Sequence, residues 1–287
     1  MSKLKAALEK AKENRERQIK NGSPKLRRPT SDLENRKFIE DQHGEAEPPV
    51  LEVKYTKTRI HKIDQNNLLN NNILALFKDN DTNDQIKLLR TQILSKLKSI
   101  NGNTIMVTSA NPGEGKTFVS INLGVSIAQQ LDRTALIVDA DLRQPWKHHK
   151  SFSDDFWGIK TDKGLSDYFM GHAEIEDILI NPSIEKLTII PGGQITPNSA
   201  EYFASSKMEK LVRQLKERYK ERIIIFDCPS ILTYSDPLVF SHLIDGILLV
   251  IEAERTQPDE IKKVVSLLKG CNILGCIYNK SRNKADL

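Results

Sequence analysis

The sequence predicts an α/β fold, a mostly parallel sheet with helices on both faces, preceded by a basic helical and largely disordered N-terminal segment. Three observations carry this expectation. Apolar runs of strand length alternate with helix-patterned stretches between residues 104 and 280, and strands apolar on both faces are those that helices cover from both sides. The first such run breaks abruptly into SANPGEGKT, residues 109–117, small residues with Pro and two Gly that end in a lysine beside a hydroxyl. Residues 1–30 hold ten Lys or Arg against three Glu, a net +7 where the whole chain of 287 residues carries +5. The positive charge therefore belongs to an appendage, and the remainder is slightly acidic.

MSKLKAALEKAKENRERQIKNG places Leu4, Ala7, Leu8 and Ala11 at helical spacing and stops at Asn21-Gly22, which reads as a short amphipathic helix with a narrow apolar face. Residues 23–70 pass through Ser-Pro, Arg-Pro, Glu-Pro-Pro and a cluster of Asn; such a composition buries too little apolar surface to offset its ordering entropy. Residues 1–71 are thus expected to be helix plus linker, and 72–287 the folded domain. Within it TIMVTS (104–109) reads as a strand, and Lys116 to Gln130 carries Val119, Leu123 and Ile127 on a helical stripe. TALIVDAD (134–141), LTIIPGG (187–193), RIIIFDCP (222–229), GILLVIE (246–252) and ILGCIYNK (273–280) read as further strands, with helices over 201–219 and 261–270. A ligand is expected at the carboxyl edge of such a sheet.

The stretch after the first strand supplies that ligand. Gly and Pro remove side-chain bulk and set a tight turn whose consecutive N–H groups point at one anion. It matches the phosphate-binding P-loop signature G-x-x-x-x-G-K-[ST] except that Ala110 takes the first Gly position. Nucleotide contacts are therefore expected from Ala110, Asn111, Pro112, Gly113, Glu114, Gly115, Lys116, Thr117 and Phe118. Lys116 would take the β and γ phosphates and Thr117 the Mg²⁺. The following helix adds partial positive charge at its N-terminus.

Two further strand ends bear carboxylates. Asp139 and Asp141 alternate, so both side chains leave one face of the strand, and two such carboxylates repel unless a cation or proton intervenes. Asp227 stands at the tip of IIIFDCP, with Pro229 after it, the shape of a carboxylate that holds Mg²⁺ directly or through water. Arg143 either neutralises charge at the phosphates or pairs with a carboxylate.

NPGEGKT, VDADLR and IIFDCP, in that order and spacing, resemble the P-loop tyrosine kinases of bacterial exopolysaccharide and capsule biosynthesis. The likeness runs from about residue 84 to 280. It includes PGGQITPNSAEYF (191–203) and DQIKLLRTQI (84–93), which looks like that family's subunit contact with Asp84 and Lys87 substituted and Arg90 kept. The resemblance implies an ATP- and Mg²⁺-dependent protein-tyrosine kinase in polysaccharide export. Asp139 would be the base for the tyrosine hydroxyl, Lys116 and Arg143 would join the catalysis, and Thr117, Asp141 and Asp227 would serve the metal. It further implies a transmembrane chain-length regulator as partner and a homo-oligomeric ring through Asp84, Lys87 and Arg90. A carboxylate near the acceptor oxygen suffices as base, because this chemistry asks mainly for positioning and charge neutralisation.

That family usually ends in a tail crowded with tyrosines, whereas no Tyr follows Tyr278 here. Tyr278 is expected in the core, leaving Tyr55 as the most accessible acceptor, or another protein as substrate. Partition and division-site ATPases share the sheet but carry a lysine where this chain has Asn111; a nonenzymatic ATP-binding regulatory subunit is a third reading. The basic N-terminus suits an anionic membrane surface or plain solvation, and its lack of aromatic stacking residues argues against a nucleic-acid partner. No run approaches the ~18 apolar residues of a membrane span, and no signal peptide opens the chain, so a cytoplasmic protein at the inner face of the cell membrane is expected. Cys228, Cys271 and Cys276 lack metal-ligand spacing and read as buried free thiols.

Overall fold

The computed structural model describes residues 58–63, 65–77, 81–143 and 152–281. The expected N-terminal helix, most of the linker and the basic segment 1–30 lie outside them. Among the described residues eight strands form one sheet: β1 (Arg59–Ile60), β2 (Thr104–Ser109), β3 (Thr134–Asp139), β4 (Ile180–Asn181), β5 (Leu187–Ile190), β6 (Arg222–Asp227), β7 (Gly246–Glu252) and β8 (Ile273–Asn279). Their order is β1-β4-β5-β3-β6-β2-β7-β8, parallel except for β4 against β5. The strands β2, β3, β5 and β6 are buried at nearly every position, as largely apolar strands in a sheet covered on both faces are. Two apolar clusters line the sheet's two faces, one containing Met106, Phe203, Phe226 and Phe240, the other Ile105, Ile121, Leu123 and Trp157.

Several local expectations are corrected. β1 falls in the stretch read as linker; it enters the sheet by backbone pairing with Ile180–Asn181, and His61 N–H donates to Asn181 O at 2.9 Å. The helix expected over 201–219 is two, Ser199–Phe203 and Ser206–Arg218, because the Ser205 side chain caps the second by accepting from Met208 N–H. LTIIPGG leaves the sheet after Ile190, since Pro191 has no N–H to offer a ladder. Tyr278, expected in the core, is 63% exposed, and Cys276 is exposed as well, Cys271 partly so and Cys228 buried. Both errors arise at β8: it is an edge strand, so one face and one side of an apolar run stay open to solvent.

The helix Asp81–Ser99 packs on the helix Lys116–Ala128. Arg90 Nη1 donates to Ser126 O at 2.9 Å and Ser126 Oγ at 3.2 Å, so this guanidinium is engaged inside the chain. Asp84 and Lys87 pair with each other at 2.9 Å on the exposed side. At the amino edge of the strands a cavity of about 670 Å³ is lined by Lys98, Arg133, Lys216 and Lys220. Helices ending at Ser99, Ala128 and Arg218 direct their partly negative C-termini to this edge of the fold, which accounts for the cations. No helix among the described residues is long and apolar enough to cross a membrane.

Candidate active site

The strand order puts β6 between β2 and β3. The phosphate-type turn and the Asp139 strand therefore flank Asp227, in the crevice where a doubly wound sheet holds its ligand. Asp227 stands opposite Val107 on one side and Asp139 on the other.

β2 ends at Ser109, and the helix Lys116–Ala128 begins after the turn. Gly113 and Gly115 have φ of 83° and 99°, a region that strains residues with a Cβ. A Cβ on Gly115 would lie 2.1 Å from Asn279 Nδ2. The turn is braced from β8: Asn279 Nδ2 donates to Glu114 O at 2.8 Å and Lys280 Nζ to Gly113 O at 2.7 Å. The buried Glu114 side chain accepts from Thr256 Oγ1 at 2.5 Å, and Asn111 Nδ2 donates to Glu260 Oε1 at 2.9 Å. With carbonyls held outward, and the first N–H groups of the helix lacking intrahelical partners, the turn is shaped for an anion. Gly115→Ala is expected to destabilise the chain by about 1–3 kcal/mol and to weaken nucleotide binding; urea unfolding with and without ATP checks both, and an unchanged midpoint with unchanged ATP protection would refute it.

Around this turn the sequence-predicted carboxylates come together. Asp139 Oδ1 accepts from Asp141 N–H and Oδ2 from Gly192 N–H, both at 3.2 Å. Asp227 is 2% exposed and accepts from Ser120 Oγ at 3.1 Å. Burial pushes the Asp139 carboxyl well above the usual range, and the charges of Asp227 and Asp141 push it further. Burial likewise raises Asp227, to about 6, against the pull of a hydrogen bond from Thr117 and the positive charge of Lys116. Lys116 is itself buried at 9% exposure.

These shifts have a sign. Folded-state values above the unfolded ones favour the protonated folded chain, so the stability this gives is fully present below about pH 4. It is lost as pH rises through about 6. The melting temperature of the ligand-free chain should fall between pH 5 and 7, with a shallower slope for Asp227→Asn; equal slopes would contradict the assignment.

Arg143 lies apart from the three carboxylates in its bonding: its Nε donates to Asp236, 3.2 and 3.1 Å from the two oxygens. Of the two roles open to it in the sequence, the carboxylate pair is present. Sequence reasoning missed Ser120, Gly192, Asp236, Asn279 and Lys280. Asn279 and Lys280 had a signal, since they close an apolar strand at the ligand-bearing edge; Gly192 is needed because a Cβ there would approach Asp139 Oδ2 to 2.8 Å, which only the fold reveals.

The model of the AAA domain matches residues 102–270, the span from the turn's strand to the last helix. The chain is 31% identical over 211 residues to the tyrosine-protein kinase YwqD of Bacillus subtilis, covering 72% of this chain and 85% of that one. It is 33% identical over 204 residues to a Klebsiella pneumoniae protein named for a tyrosine-protein kinase in its cps region; there it covers 70% of this chain but spans only 27% of the relative's length. Among solved structures, the kinase domain of the Escherichia coli tyrosine kinase ETK superposes with a TM-score of 0.65 at 26% identity, over 75% of this chain and 84% of that one. With the phosphate-type turn, the paired strand-end carboxylates and these likenesses together, the chain belongs to the bacterial tyrosine-protein kinases of capsule and exopolysaccharide systems, a nucleotide-binding P-loop family.

Proposed function

We propose that this chain transfers the γ-phosphoryl group of ATP to tyrosine hydroxyls and thereby regulates exopolysaccharide polymerisation and export. The observation that carries the proposal is the meeting of Asp139 and Asp227, at the ends of two adjacent strands, with Asp141 just past the first strand, beside a glycine turn that ends in a buried lysine. Ala110 to Phe118 would cradle the nucleotide phosphates, with Lys116 on the β and γ phosphates. Asp139, its carboxyl fixed by two backbone N–H groups, would accept the tyrosine proton, and Arg143 would offset negative charge during transfer.

A divalent cation fits this donor set: carboxylates that burial and mutual repulsion hold above their usual pKa are relieved by positive charge. Among the described residues no three or more His, Cys, Asp and Glu side chains close into a ready cage. That suits Mg²⁺, which takes one or two protein carboxylates and completes its shell with water and phosphate. Thr117, Asp141 and Asp227 would hold it; when bound it supplies charge neutralisation at the phosphates.

The acceptor would lie on another copy or another protein. Tyr278 is open on the edge strand, and Tyr55 falls outside the described residues. A transmembrane chain-length regulator would be the activating partner, and residues 1–30 would rest on the anionic inner face of the cell membrane. A homo-oligomer would form through the exposed Asp84 and Lys87 side of the helix Asp81–Ser99, with Arg90 as its internal anchor. Asn111 in place of the partition-ATPase lysine supports the kinase reading over that rival.

Incubating the purified chain with Mg²⁺, labelled ATP and membranes carrying the partner should yield phosphotyrosine. ATP hydrolysis without phosphotyrosine would favour an assembly ATPase, and binding without turnover a regulatory subunit; either would overturn the kinase proposal.

A further inference from the structure

A second set of buried polar groups, Asp236 and Ser199, meets Arg143 and has no part in the roles above. Asp236 opens the helix Asp236–Phe240 and Ser199 opens the helix Ser199–Phe203. The Asp236 side chain is 1% exposed. It accepts from Ser199 Oγ and from Arg143 Nε through both carboxylate oxygens. The guanidinium also lies over the Tyr234 ring, 5.3 Å from its centre.

The pairing leaves most of the arginine unused. Arg offers five N–H donors, and Arg–carboxylate pairs are frequently a two-pronged fork in which two N–H groups meet two oxygens. Here one N–H is divided between both oxygens, and among the described residues the two Nη groups make no hydrogen bond. Burying a carboxylate against a half-used guanidinium is a poor way to stabilise a fold. It is an effective way to fix the direction of the remaining four donors.

The same loop also grips the base. Gly192 N–H donates to Asp139 Oδ2 at 3.2 Å, Thr196 N–H to Leu142 O at 3.0 Å, and Ser199 Oγ to Asp236. Residues 191–199 therefore hold Asp139 at one end and, through Asp236, Arg143 at the other.

We infer that Asp236 and Ser199 are positioning residues: they pin Arg143 by its Nε edge so that both Nη groups present donors to the phosphoryl oxygens, in fixed relation to Asp139. The inference rests on the phosphoryl-transfer reading. Its physical content is preorganisation, because an arginine already locked gives its hydrogen bonds to the transition state without losing rotamer freedom at that moment.

The test is a double-mutant cycle in the full chain with Mg-ATP, partner membranes and a tyrosine acceptor. Asp236→Asn and Arg143→Gln should each lower kcat by about 10- to 100-fold, and Ser199→Ala by about 3- to 10-fold, with the KM for ATP held within about 3-fold. Arg143→Gln/Asp236→Asn should be no slower than Arg143→Gln alone, since a residue that acts through another has nothing left to do once that other is gone. A merely structural Asp236 predicts further loss in the double variant and kcat losses that follow the melting temperature; either result overturns the inference.

The Arg143 Nε–H resonance, assigned by Arg143→Lys, gives a readout free of turnover. It should be slow to exchange in the wild type and fast in Asp236→Asn, and equal exchange would count against the pinning. Wild-type protein that hydrolyses ATP without making phosphotyrosine would remove the kinase reading alone, the cycle then being read on hydrolysis. Protein that turns over no ATP removes both.

Discussion

Asp139→Asn is expected to lower phosphotyrosine formation by about 10²- to 10⁴-fold while ATP still protects the chain and the ligand-free protein melts at or above the wild-type temperature. The loss follows from removing the proton acceptor. The stability gain follows from the same atoms: burial and the charges of Asp227 and Asp141 raise the Asp139 carboxyl well above its usual range, so its ionised form strains the folded chain. An amide relieves that repulsion. It keeps one oxygen for one of the two N–H groups, Asp141 and Gly192, that the carboxylate accepts with two; the other then faces the amide NH2, and that lost hydrogen bond offsets the gain by about 1–3 kcal/mol. Once the Asp139 carboxyl ionises, the electrostatic relief outweighs that lost hydrogen bond. Activity and stability measured on one preparation decide it: a variant that is both inactive and less stable would mark Asp139 as structural, and an active one would remove it as base.

Lys116→Met is expected to lower transfer by about 10³-fold and to abolish ATP protection against heat or urea. The side chain is buried at 9% exposure at the start of the helix Lys116–Ala128, and Met fills similar volume, so the fold should survive. Its charge opposes the upward shift of Asp227, and without it that carboxyl should titrate above about 6. The pH dependence of melting would then extend to higher pH than in the wild type. An unshifted profile would mean that Lys116 and Asp227 do not share one electrostatic site.

Both predictions concern residues legible before any fold was known. The glycine turn could be read because a phosphate cradle is a local backbone conformation: Gly113 and Gly115 take up the left-handed φ their neighbours in sequence cannot. Asp139 and Asp227 could be read because an apolar run stops at each of them, and strand ends on one edge of a parallel sheet share that edge. The core strands followed for the same reason, short apolar runs such as those at 135–138 and 223–226 being enough to define them.

The failures share a different cause. An apolar run does not say whether its strand is central or at the edge, and Tyr278 and Cys276 were misplaced on that account. A two-residue strand such as Arg59–Ile60 has no pattern of its own and exists only through its pairing with Ile180–Asn181.

By itself, then, the sequence determined the chemistry available: a phosphate turn, a lysine, a hydroxyl and three carboxylates, each declared by its immediate neighbours. Tertiary structure decided how that chemistry is held. Arg143 is joined to Asp236 across 93 positions and Glu114 to Asn279 across 165, and contacts so distant leave no periodicity or spacing in the chain. They depend on which strand lies beside which and which loops meet at the sheet's edge, and those choices are made by burial of the whole core.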